Sequence, residues 1–581
     1  MAFSDPRAGR RAQPGMADTG WMIATGALCM VLVLAGVWAG TGLLTAPVPA
    51  GTGLVDVFVL QGRGTVPVSV WQIIALLFAV LLLTSLALAG WKVMGGSTSS
   101  RVDHLARSMS ARKDFREMTL GPATKDAARL HATSAGPGVP LAKLTNGGQM
   151  LYASWEWVQT WIMGPRAGKT TCVCVPQIVE TDGPVIATSN KRDIVDLTRG
   201  PRSDKGIVWV HDVQGIIGDP ASWWWNPLSF VTSMERAEAL TDVFVTSATS
   251  VGAKSDAYFE SDGKRLLSHM FYAAAVAHRP ITDVFRWAQD PEDESPVREL
   301  RAAGHPDLAE SLSKIQRLTP KQRDGVYGTC RPWVNVLSYE SVIPWIRDTG
   351  QVGRAEFDHR EFVKTTDTLY LISKEGAGTA RAITGALTMA LLMDAEEYAA
   401  LKPAGRLSPP LMGVLDEVAN VCRWSQLPDV YSHYGSRGIV LSSFFQGWDQ
   451  GVEAFGKEGM RKLWNASNVR VAGSGLQDAD FLPFLSQVVG DRDVVRRTAS
   501  TQQRGGRSVS TSVQRERILD VSDLASMPRG RAVMTTSGSP AALVSLEHFS
   551  TKPYSQAVKA SQAYYERQIE KGRPDANSPM V

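Results

Sequence analysis

Residues 157–171 read Trp-Val-Gln-Thr-Trp-Ile-Met-Gly-Pro-Arg-Ala-Gly-Lys-Thr-Thr. A short apolar run ends at Met163, a glycine-containing loop follows, and Lys169 and Thr170 open a second apolar run. The order strand, loop, helix is typical of a phosphate site, because backbone N–H groups of the loop and of the helix N-terminus face the anion. We expect Lys169 to reach the β- and γ-phosphates of a nucleotide and the Thr170 hydroxyl to bind Mg²⁺.

The loop departs from the phosphate-loop pattern by one residue. That pattern requires glycine, four further residues and then Gly-Lys-Ser/Thr, whereas here Met163 stands at the first glycine position. The alternative is a glycine-lysine turn before a buried helix. Because Lys169 lies at a loop–helix junction, Lys169→Ala is expected to abolish nucleotide turnover without disturbing the core. The residues expected to line the site are Gly164, Pro165, Arg166, Ala167, Gly168, Lys169, Thr170 and Thr171.

Residues 411–417 read Leu-Met-Gly-Val-Leu-Asp-Glu, an apolar run that ends in two adjacent acids. In open parallel sheets, ligands bind at the carboxyl ends of the strands, so both acids are expected beside the loop. Asp416 would hold Mg²⁺ through water, and Glu417 would orient or deprotonate the attacking water. The alternative is an acid pair that caps the following helix.

Two further polar residues flank the apolar run 438–443. Gln446, just after the run, is predicted to sense the γ-phosphate. Arg437, just before it, is predicted to act as a finger in the site of a neighbouring subunit. A solvated surface arginine is the alternative for Arg437.

From residue 157 onward, short apolar runs alternate with helical patterns, which predicts an α/β fold with a parallel sheet. Between 232 and 345 the periodicity is helical, which indicates an all-α insertion. Segment 496–517 is rich in Arg, Ser, Thr, Gln and Gly and is predicted to be a mobile loop. The predicted strands are 158–163, 184–188, 207–211, 368–373, 411–416, 438–443, 468–473 and 531–537, and the clearest helix is 382–400.

Two uncharged apolar runs, 21–44 and 70–91, are each long enough to cross a bilayer. Basic residues lie outside both outer ends, and the loop 45–69 between the runs carries a single arginine. The positive-inside rule therefore predicts a multi-pass protein of the inner (cytoplasmic) membrane, with both termini and the α/β part cytoplasmic. A signal peptide is the alternative for the first run, but that run is longer than a typical signal and a second one follows it.

Composition adds little, because a net charge of +4 leaves the partner open. The five cysteines, an odd number without zinc-binding spacing, are predicted to be reduced thiols or small apolar filler: Cys29, Cys172, Cys174, Cys330 and Cys422. The predicted segments are 1–20 (cytoplasmic N-terminus), 21–44 (transmembrane helix), 45–69 (extracytoplasmic loop), 70–91 (transmembrane helix), 92–150 (connector), 151–231 and 346–550 (nucleotide-binding domain), 232–345 (all-α domain) and 551–581 (C-terminal tail with one short helical piece).

Taken together, these motifs resemble type IV secretion coupling proteins of the TraG/TraD kind, which are membrane-anchored RecA-like ATPases related to the FtsK DNA pumps. The resemblance covers most of the chain, to about residue 550, and its most specific part is Leu415-Asp-Glu-Val-Ala-Asn420. The other similar segments are Gly164–Pro176, Pro184–Lys191, Asn226–Leu228, Ser436–Ile439 with Gln446, and Leu524–Val533.

The resemblance implies an N-terminal two-helix transmembrane anchor and a RecA-like P-loop NTPase domain with an inserted all-α domain. ATP and Mg²⁺ would be the cofactors, with Glu417, Gln446 and Arg437 catalytic. A homo-hexamer would deliver single-stranded DNA with its relaxase, or a protein substrate, to type IV secretion channel components. The alternatives are an FtsK-like double-stranded DNA translocase and a non-hydrolysing nucleotide-binding membrane adaptor. No stripe of aromatic and basic residues in the sequence marks a DNA track.

Overall fold

A computed structural model describes residues 16–94, 100–110, 112–248, 257–374, 381–421, 424–501 and 507–570. The chain divides into two compact units, Met1–Ser99 and Ser100–Val581.

The first unit contains three helices, α1 (Met16–Thr45), α2 (Leu54–Gly62) and α3 (Val70–Met94). A polar network joins them: Trp38 donates to Gln61 at 3.0 Å, and Gln61 donates to the fully buried Gln72 at 2.8 Å. The predicted spans 21–44 and 70–91 fall within α1 and α3. Among the helices formed by the described residues, none combines the length and the apolar content that crossing a membrane requires.

The second unit is built on an eleven-stranded sheet with the order β2-β1-β15-β14-β11-β3-β10-β9-β4-β8-β5. Two pairs of strands, β6 with β7 and β12 with β13, form separate small sheets. The strands are β1 (Val139–Leu144), β2 (Met150–Ala153), β3 (Gln159–Ile162), β4 (Val185–Ser189), β5 (Val208–His211), β6 (Trp223–Trp224), β7 (Ala355–Glu356), β8 (Thr368–Ile372), β9 (Leu411–Leu415), β10 (Ile439–Phe445), β11 (Val469–Ala472), β12 (Asp491–Thr501), β13 (Arg507–Arg517), β14 (Arg531–Thr536) and β15 (Ser539–Ser545).

The parallel part of the sheet runs from β11 to β5, and most of its side chains are buried. Strands covered on both faces read as continuous apolar runs, since neither face meets water. This is why the predicted strands all coincide with observed ones to within about two residues. The antiparallel strands β14, β15, β1 and β2 complete one edge.

Helices pack against this sheet, and the described residues of segment 232–345 form helices joined by turns and short loops, with no strand among them. Helix α15 matches the predicted helix 382–400. The helices of this unit are α4 (Leu120–Arg129), α5 (Val175–Glu180), α6 (Asp193–Ser203), α7 (Met234–Ala248), α8 (Ala257–Val276), α9 (Thr282–Gln289), α10 (Ser295–Ala302), α11 (Pro306–Gln316), α12 (Pro320–Val334), α13 (Ile343–Ile346), α14 (His359–Phe362), α15 (Arg381–Ala400), α16 (Val418–Val421), α17 (Leu427–Ser436), α18 (Trp448–Ala466), α19 (Phe481–Val489), α20 (Val521–Ala525) and α21 (Ser555–Glu570).

The prediction of a connector over 92–150 is wrong for most of its length. Residues 139–153 form β1 and β2, and β1 pairs with β15 in the large sheet. Val139, Leu141 and Leu144 are buried there. The two strands are short, with six and four residues, so the composition of the whole segment 92–150 did not reveal them.

The prediction of a mobile loop over 496–517 is also wrong. The segment belongs to the hairpin β12–β13, whose strands pair from Asp491↔Arg517 to Thr501↔Arg507; residues 502–506 lie outside the described part. In the hairpin the two strands satisfy each other's backbone groups, and Asp491 pairs with Arg517 at 2.9 Å. The amino-acid composition of the segment carries no information about this cross-strand pairing, so the sequence alone did not predict the hairpin.

The C-terminal tail contains more structure than predicted. Helix α21 packs on α6, where the buried Ser561 hydroxyl donates to the Asp196 carbonyl and accepts from the Gly200 N–H. Cys172, Cys174 and Cys330 are free thiols, as predicted. The predictions for Cys422 and for the side chain of Cys29 lie outside the described part.

Candidate nucleotide-binding site

Strands β3, β10 and β9 are adjacent and parallel, so their carboxyl ends lie at one edge of the sheet. Met163 follows β3, Asp416 follows β9 and Gln446 follows β10. The Met163 N–H donates to the Phe445 carbonyl at 2.9 Å and so extends the pairing of β3 with β10 by one residue. The loop, the acid pair and Gln446 therefore converge, as the sequence predicted.

The unusual Met163 has a packing explanation. Its side chain is fully buried and fills the space that Gly473 leaves beside it, where an added Cβ would meet Met163 Cγ at 2.7 Å. The close backbone approach falls instead on Gly164, where a Cβ would lie 2.3 Å from the Gly475 carbonyl oxygen. The position that requires glycine is therefore 164, one residue later than in the phosphate-loop pattern.

The loop turns through two residues with positive φ, Arg166 at +59° and Gly168 at +91°. Its first helical turn is a π-helix over Thr170–Cys174, which continues into α5. Pro176 lacks the N–H that an α-helix would donate to the Cys172 carbonyl, and a wider turn is the common response to such a gap. The loop is therefore followed by a helix start, which is the context expected for a phosphate site.

Five side chains meet at the carboxyl ends of these strands. Lys169 Nζ lies 2.8 Å from Asp416 Oδ1 and 2.9 Å from Glu417 Oε1. Gln446 Nε2 donates to Glu417 Oε1 at 2.7 Å, and Gln450 Nε2 donates to Glu417 Oε2 at 3.2 Å. Both carboxylate oxygens of Glu417 are thus held, by three donor side chains from two segments of the chain.

Burial and charge set the protonation of this cluster. Burial works to lower the pKa of Lys169, but the two carboxylates outweigh it and raise that pKa above its ordinary value. Burial also raises the pKa of Asp416, which Lys169 opposes. For Glu417, the effect of burial is outweighed by Lys169 and by the two glutamine donors, so its pKa lies below its ordinary value. Glu417 is therefore ionised at neutral pH.

The backbone of the acid pair is fixed as well. Thr188 at the end of β4 donates its hydroxyl to the Asp416 carbonyl at 2.8 Å. Glu417 itself has a φ of +54°, a conformation that costs about 1–3 kcal/mol for a residue with a side chain and is concentrated at functional sites. The strain directs Glu417 toward Lys169 and Gln446.

These residues line a cavity of about 420 Å³. It contains every predicted loop residue from Gly164 to Thr171, together with Asp416, Glu417 and Gln446. The sequence reasoning missed Asn190, Lys191, Asp193 and Gln450. The first three follow β4, so the rule about strand ends could have found them, and Gln450 lies one helical turn after Gln446.

Arg437 lies elsewhere. It follows α17 and precedes β10. Gln446 lies at the opposite end of that strand, nine residues later, which corresponds to about 30 Å of extended chain. Its guanidinium donates to the Gly405 carbonyl at 3.2 Å. Arg437 therefore cannot serve the site of its own chain, and its role in a neighbouring subunit stays a prediction.

The residues present fit a Mg-nucleotide. Glycine at positions 164 and 168 gives a close-fitting loop at a helix start, Lys169 supplies a cation for phosphate, and Thr170 and Asp416 are the oxygen ligands that Mg²⁺ prefers. With its mostly parallel sheet and this cavity at the strand ends, the second unit belongs to the class of mixed α/β folds in which ligands bind at the carboxyl ends of the strands.

Comparisons with known proteins agree with this class. Residues 410–529 match the family model described as the TraM recognition site of TraD and TraG. The chain is 20% identical over 396 residues to the conjugal transfer protein TraG of Agrobacterium fabrum, which covers 65% of this chain and 58% of that protein. A second TraG, from Rhizobium radiobacter, is 21% identical and is covered over 59% of its length. The chain thus spans under two thirds of these relatives.

Two solved structures of coupling proteins share the fold. The bacterial conjugative coupling protein TrwBdeltaN70, in complex with sulphate, gives a TM-score of 0.52 at 14% identity, over 73% of this chain and 92% of that one. The plasmid coupling protein TrwB in complex with ADP and Mg²⁺ gives a TM-score of 0.51 at 14% identity, over 74% and 93%. The expected resemblance to type IV secretion coupling proteins is confirmed by these matches.

Proposed function

We propose that the protein is an ATPase that binds Mg-ATP in the cavity between β3, β9 and β10. The observation that carries this proposal is the convergence of Lys169, Asp416, Glu417 and Gln446 at one sheet edge beside a glycine loop. Lys169 would bind the β- and γ-phosphates. Thr170 and Asp416 would hold Mg²⁺, which would neutralise phosphate charge.

Glu417 is proposed as the group that handles the attacking water. It is ionised at neutral pH because its pKa is lowered, and it is fixed by Gln446 and Gln450, so one carboxylate oxygen can accept a proton or a hydrogen bond from water. Gln446 lies in the same cavity beside the loop, where it can also meet the γ-phosphate. The chemistry requires orientation and charge rather than a covalent intermediate.

The work done by hydrolysis is proposed to be delivery of DNA, as a relaxase-linked single strand, or of a protein substrate to type IV secretion channel components. The matched TraG proteins are named for conjugal transfer, and the matched family model is described as a recognition site for TraM. Both favour a conjugation role over an FtsK-like duplex translocase.

Turnover by the full chain tests the ATPase proposal. Glu417→Gln keeps the size of the side chain and removes its charge, and we expect ATP turnover to fall by about 100-fold or more while nucleotide binding is kept. Glu458→Gln, an exposed carboxylate on α18, is the control and should turn over normally. Unchanged turnover in Glu417→Gln would remove Glu417 from catalysis. Nucleotide binding without turnover in the wild type, with DNA present, would favour the non-hydrolysing adaptor.

A membrane anchor is proposed for the N-terminal unit, with the second unit on the cytoplasmic side. Its support is the sequence pattern of two uncharged runs with arginines outside them. In intact cells, a cysteine at the exposed position Val55 should react with an impermeant thiol reagent, and one at His104 should not. Labelling at position 104 but not at 55 would contradict the anchor.

A homo-hexameric ring with Arg437 acting across subunits is also proposed. If Arg437 completes a neighbour's site, mixing Arg437→Ala with Lys169→Ala subunits should restore some turnover, because each variant supplies what the other lacks. If crosslinking confirms that mixed rings form but ATP turnover is not restored, Arg437 has no role in the neighbouring site and is a surface residue.

A further inference from the structure

A second cavity of about 420 Å³ lies near the amino ends of strands β8 and β9, whereas the nucleotide site lies at the carboxyl ends of the strands. Its walls come from segments that precede β8 and β9 and from the end of α4, and include His131, Lys364, Tyr398, Lys402 and Arg406. We call it the basic cavity. Four of these five side chains are cationic or can become so, and the residues that line it include no carboxylate.

Tyr398 is the aromatic wall of the basic cavity. Lys402 Nζ lies 4.2 Å from the centre of its ring and Lys364 Nζ lies 5.4 Å from it. Lys364 also pairs with the exposed Glu361. Lys402 has no carboxylate within 4 Å among the described residues, so its charge is balanced only by the ring and by solvent.

Arg406 is a fixed part of the wall. It is 4% exposed, and it donates to Glu156 at 2.7 Å and to the Trp155 carbonyl at 3.2 Å. Its Nε has no hydrogen-bond partner within the described part of the chain. A buried donor without a partner carries a free-energy cost, and the contacts with Glu156 and Trp155 hold the guanidinium in place.

An aromatic ring with cations around it is the chemistry that recognises a nucleotide unit, because the base stacks on the ring and the phosphate meets the cations. A smaller cavity of about 320 Å³ shares Lys364 and Tyr398 with the basic cavity, but there Arg236 and Arg360 are paired with Asp394 and Glu397. The positive charge that a phosphate can meet is therefore that of Lys364 and Lys402.

We propose that the basic cavity binds single-stranded nucleic acid, with one base against Tyr398 and its phosphates against Lys364 and Lys402. This inference rests on the proposed function, for which it names a contact site of the transported strand. A base that stacks on Tyr398 displaces Lys402 from the ring face, and the ammonium group then meets the phosphate of the same nucleotide.

Fluorescence anisotropy of a labelled single-stranded oligothymidylate with the full chain in detergent tests this proposal. Lys364→Gln with Lys402→Gln should weaken binding by about tenfold or more, and the slope of log affinity against log salt should fall by about 1.4. Lys321→Gln with Lys559→Gln removes two exposed lysines elsewhere and is the matched control. Tyr398→Leu, with a normal melting temperature, should also weaken binding, but with little change in salt slope.

Competition separates a strand from a free nucleotide, which share the same chemistry. If unlabelled oligothymidylate competes far better than thymidine monophosphate at equal nucleotide concentration, the strand is the ligand. Equal competition would assign the cavity to free nucleotides and overturn the proposal. The proposal would also be overturned if the Lys364/Lys402 variant bound the strand with the same affinity and the same salt slope as the control variant.

The outcome is independent of the ATPase test. Absence of ATP turnover in the wild type, together with strand binding that depends on Lys402, would overturn the ATPase proposal and keep the basic cavity. Normal ATP turnover together with strand binding that does not depend on Lys402 would keep the ATPase proposal and overturn the proposal for the basic cavity.

Discussion

Lys169 Nζ lies 2.9 Å from Glu417 Oε1, although 248 residues separate them in the chain. The same oxygen accepts a hydrogen bond from Gln446 at 2.7 Å. A phosphate bound by Lys169 competes with this ion pair, whereas Gln450 still donates to the other carboxylate oxygen of Glu417. Binding of a polyphosphate is therefore coupled to the freedom of the residue proposed to handle water.

Lys169→Ala is expected to lower stability as well as abolish turnover. It leaves two adjacent buried carboxylates without a cation, and breaking a buried pair in this way costs about 3 kcal/mol or more. The sequence alone predicted no effect on the core. Adding Glu417→Gln should return part of the loss, which thermal unfolding of the two single variants and the double variant measures.

The control for this cycle is Lys143→Ala, whose partner Glu547 lies in a partly exposed pair. Such pairs contribute about 0–1 kcal/mol, so the melting temperature should hardly move. A Lys169→Ala protein that melts like the wild type would contradict the burial of the cluster.

Gln450 is expected to position Glu417 and Gln446 rather than to touch substrate. It donates to Glu417 and accepts from the Gln446 N–H at 2.8 Å. Gln450→Leu should lower kcat by about tenfold, the value of one hydrogen bond to a charged group, and leave KM for ATP unchanged. Because Gln450 helps to lower the pKa of Glu417, the acid limb of the pH–rate profile should move to higher pH.

A merely structural role for Gln450 would lower the melting temperature without moving that limb. Glu458→Gln on the same helix is the control for both measurements.

Gly164→Ala is expected to destroy the phosphate loop. The added Cβ would lie 2.3 Å from the Gly475 carbonyl oxygen, and both atoms belong to or adjoin backbone that cannot move alone. Gly328→Ala on α12 meets nothing within 4 Å and should be neutral or stabilise by about 0.5–1 kcal/mol. Nucleotide binding by equilibrium dialysis and thermal unfolding of both variants check this. Wild-type binding by Gly164→Ala would mean that the close approach to Gly475 is not needed.

His211 is expected to make stability depend on pH. It is fully buried against Trp223 and Trp345, and burial lowers its pKa from 6.5 to about 3. As the pH falls from 6.5 toward 3, His211 therefore becomes protonated in the unfolded chain but stays neutral in the folded chain. The free energy of unfolding consequently falls by up to about 1.4 kcal/mol per pH unit in that window.

Denaturant unfolding between pH 7 and pH 5 measures this slope. His211→Gln should flatten it, and the exposed His433→Gln should leave it unchanged. Equal slopes for wild type and His211→Gln would show that another group carries the dependence.

The buried parallel strands were predictable from the sequence because each is a short, mainly apolar or β-branched run. Two motifs were recognisable in the sequence: a strand followed by a loop with Lys169 and Thr170, and a strand that ends in Asp416 and Glu417. Because parallel strands align their carboxyl ends, these motifs were enough to predict that the loop and the acid pair lie close together. The chain's resemblance to coupling proteins followed from the same residues.

Contacts between distant segments were decided only by the tertiary structure. The hairpin β12–β13 is polar, and its stability lies in cross-strand pairing that composition does not record. Met163 fits its place only because Gly473 and Gly475 lie beside it. The residues of the basic cavity lie between positions 131 and 406 and come together only when α4, α15 and the segments before β8 and β9 pack. Local periodicity reports which residues are buried, whereas the pairing of side chains far apart in the chain is a property of the packed fold.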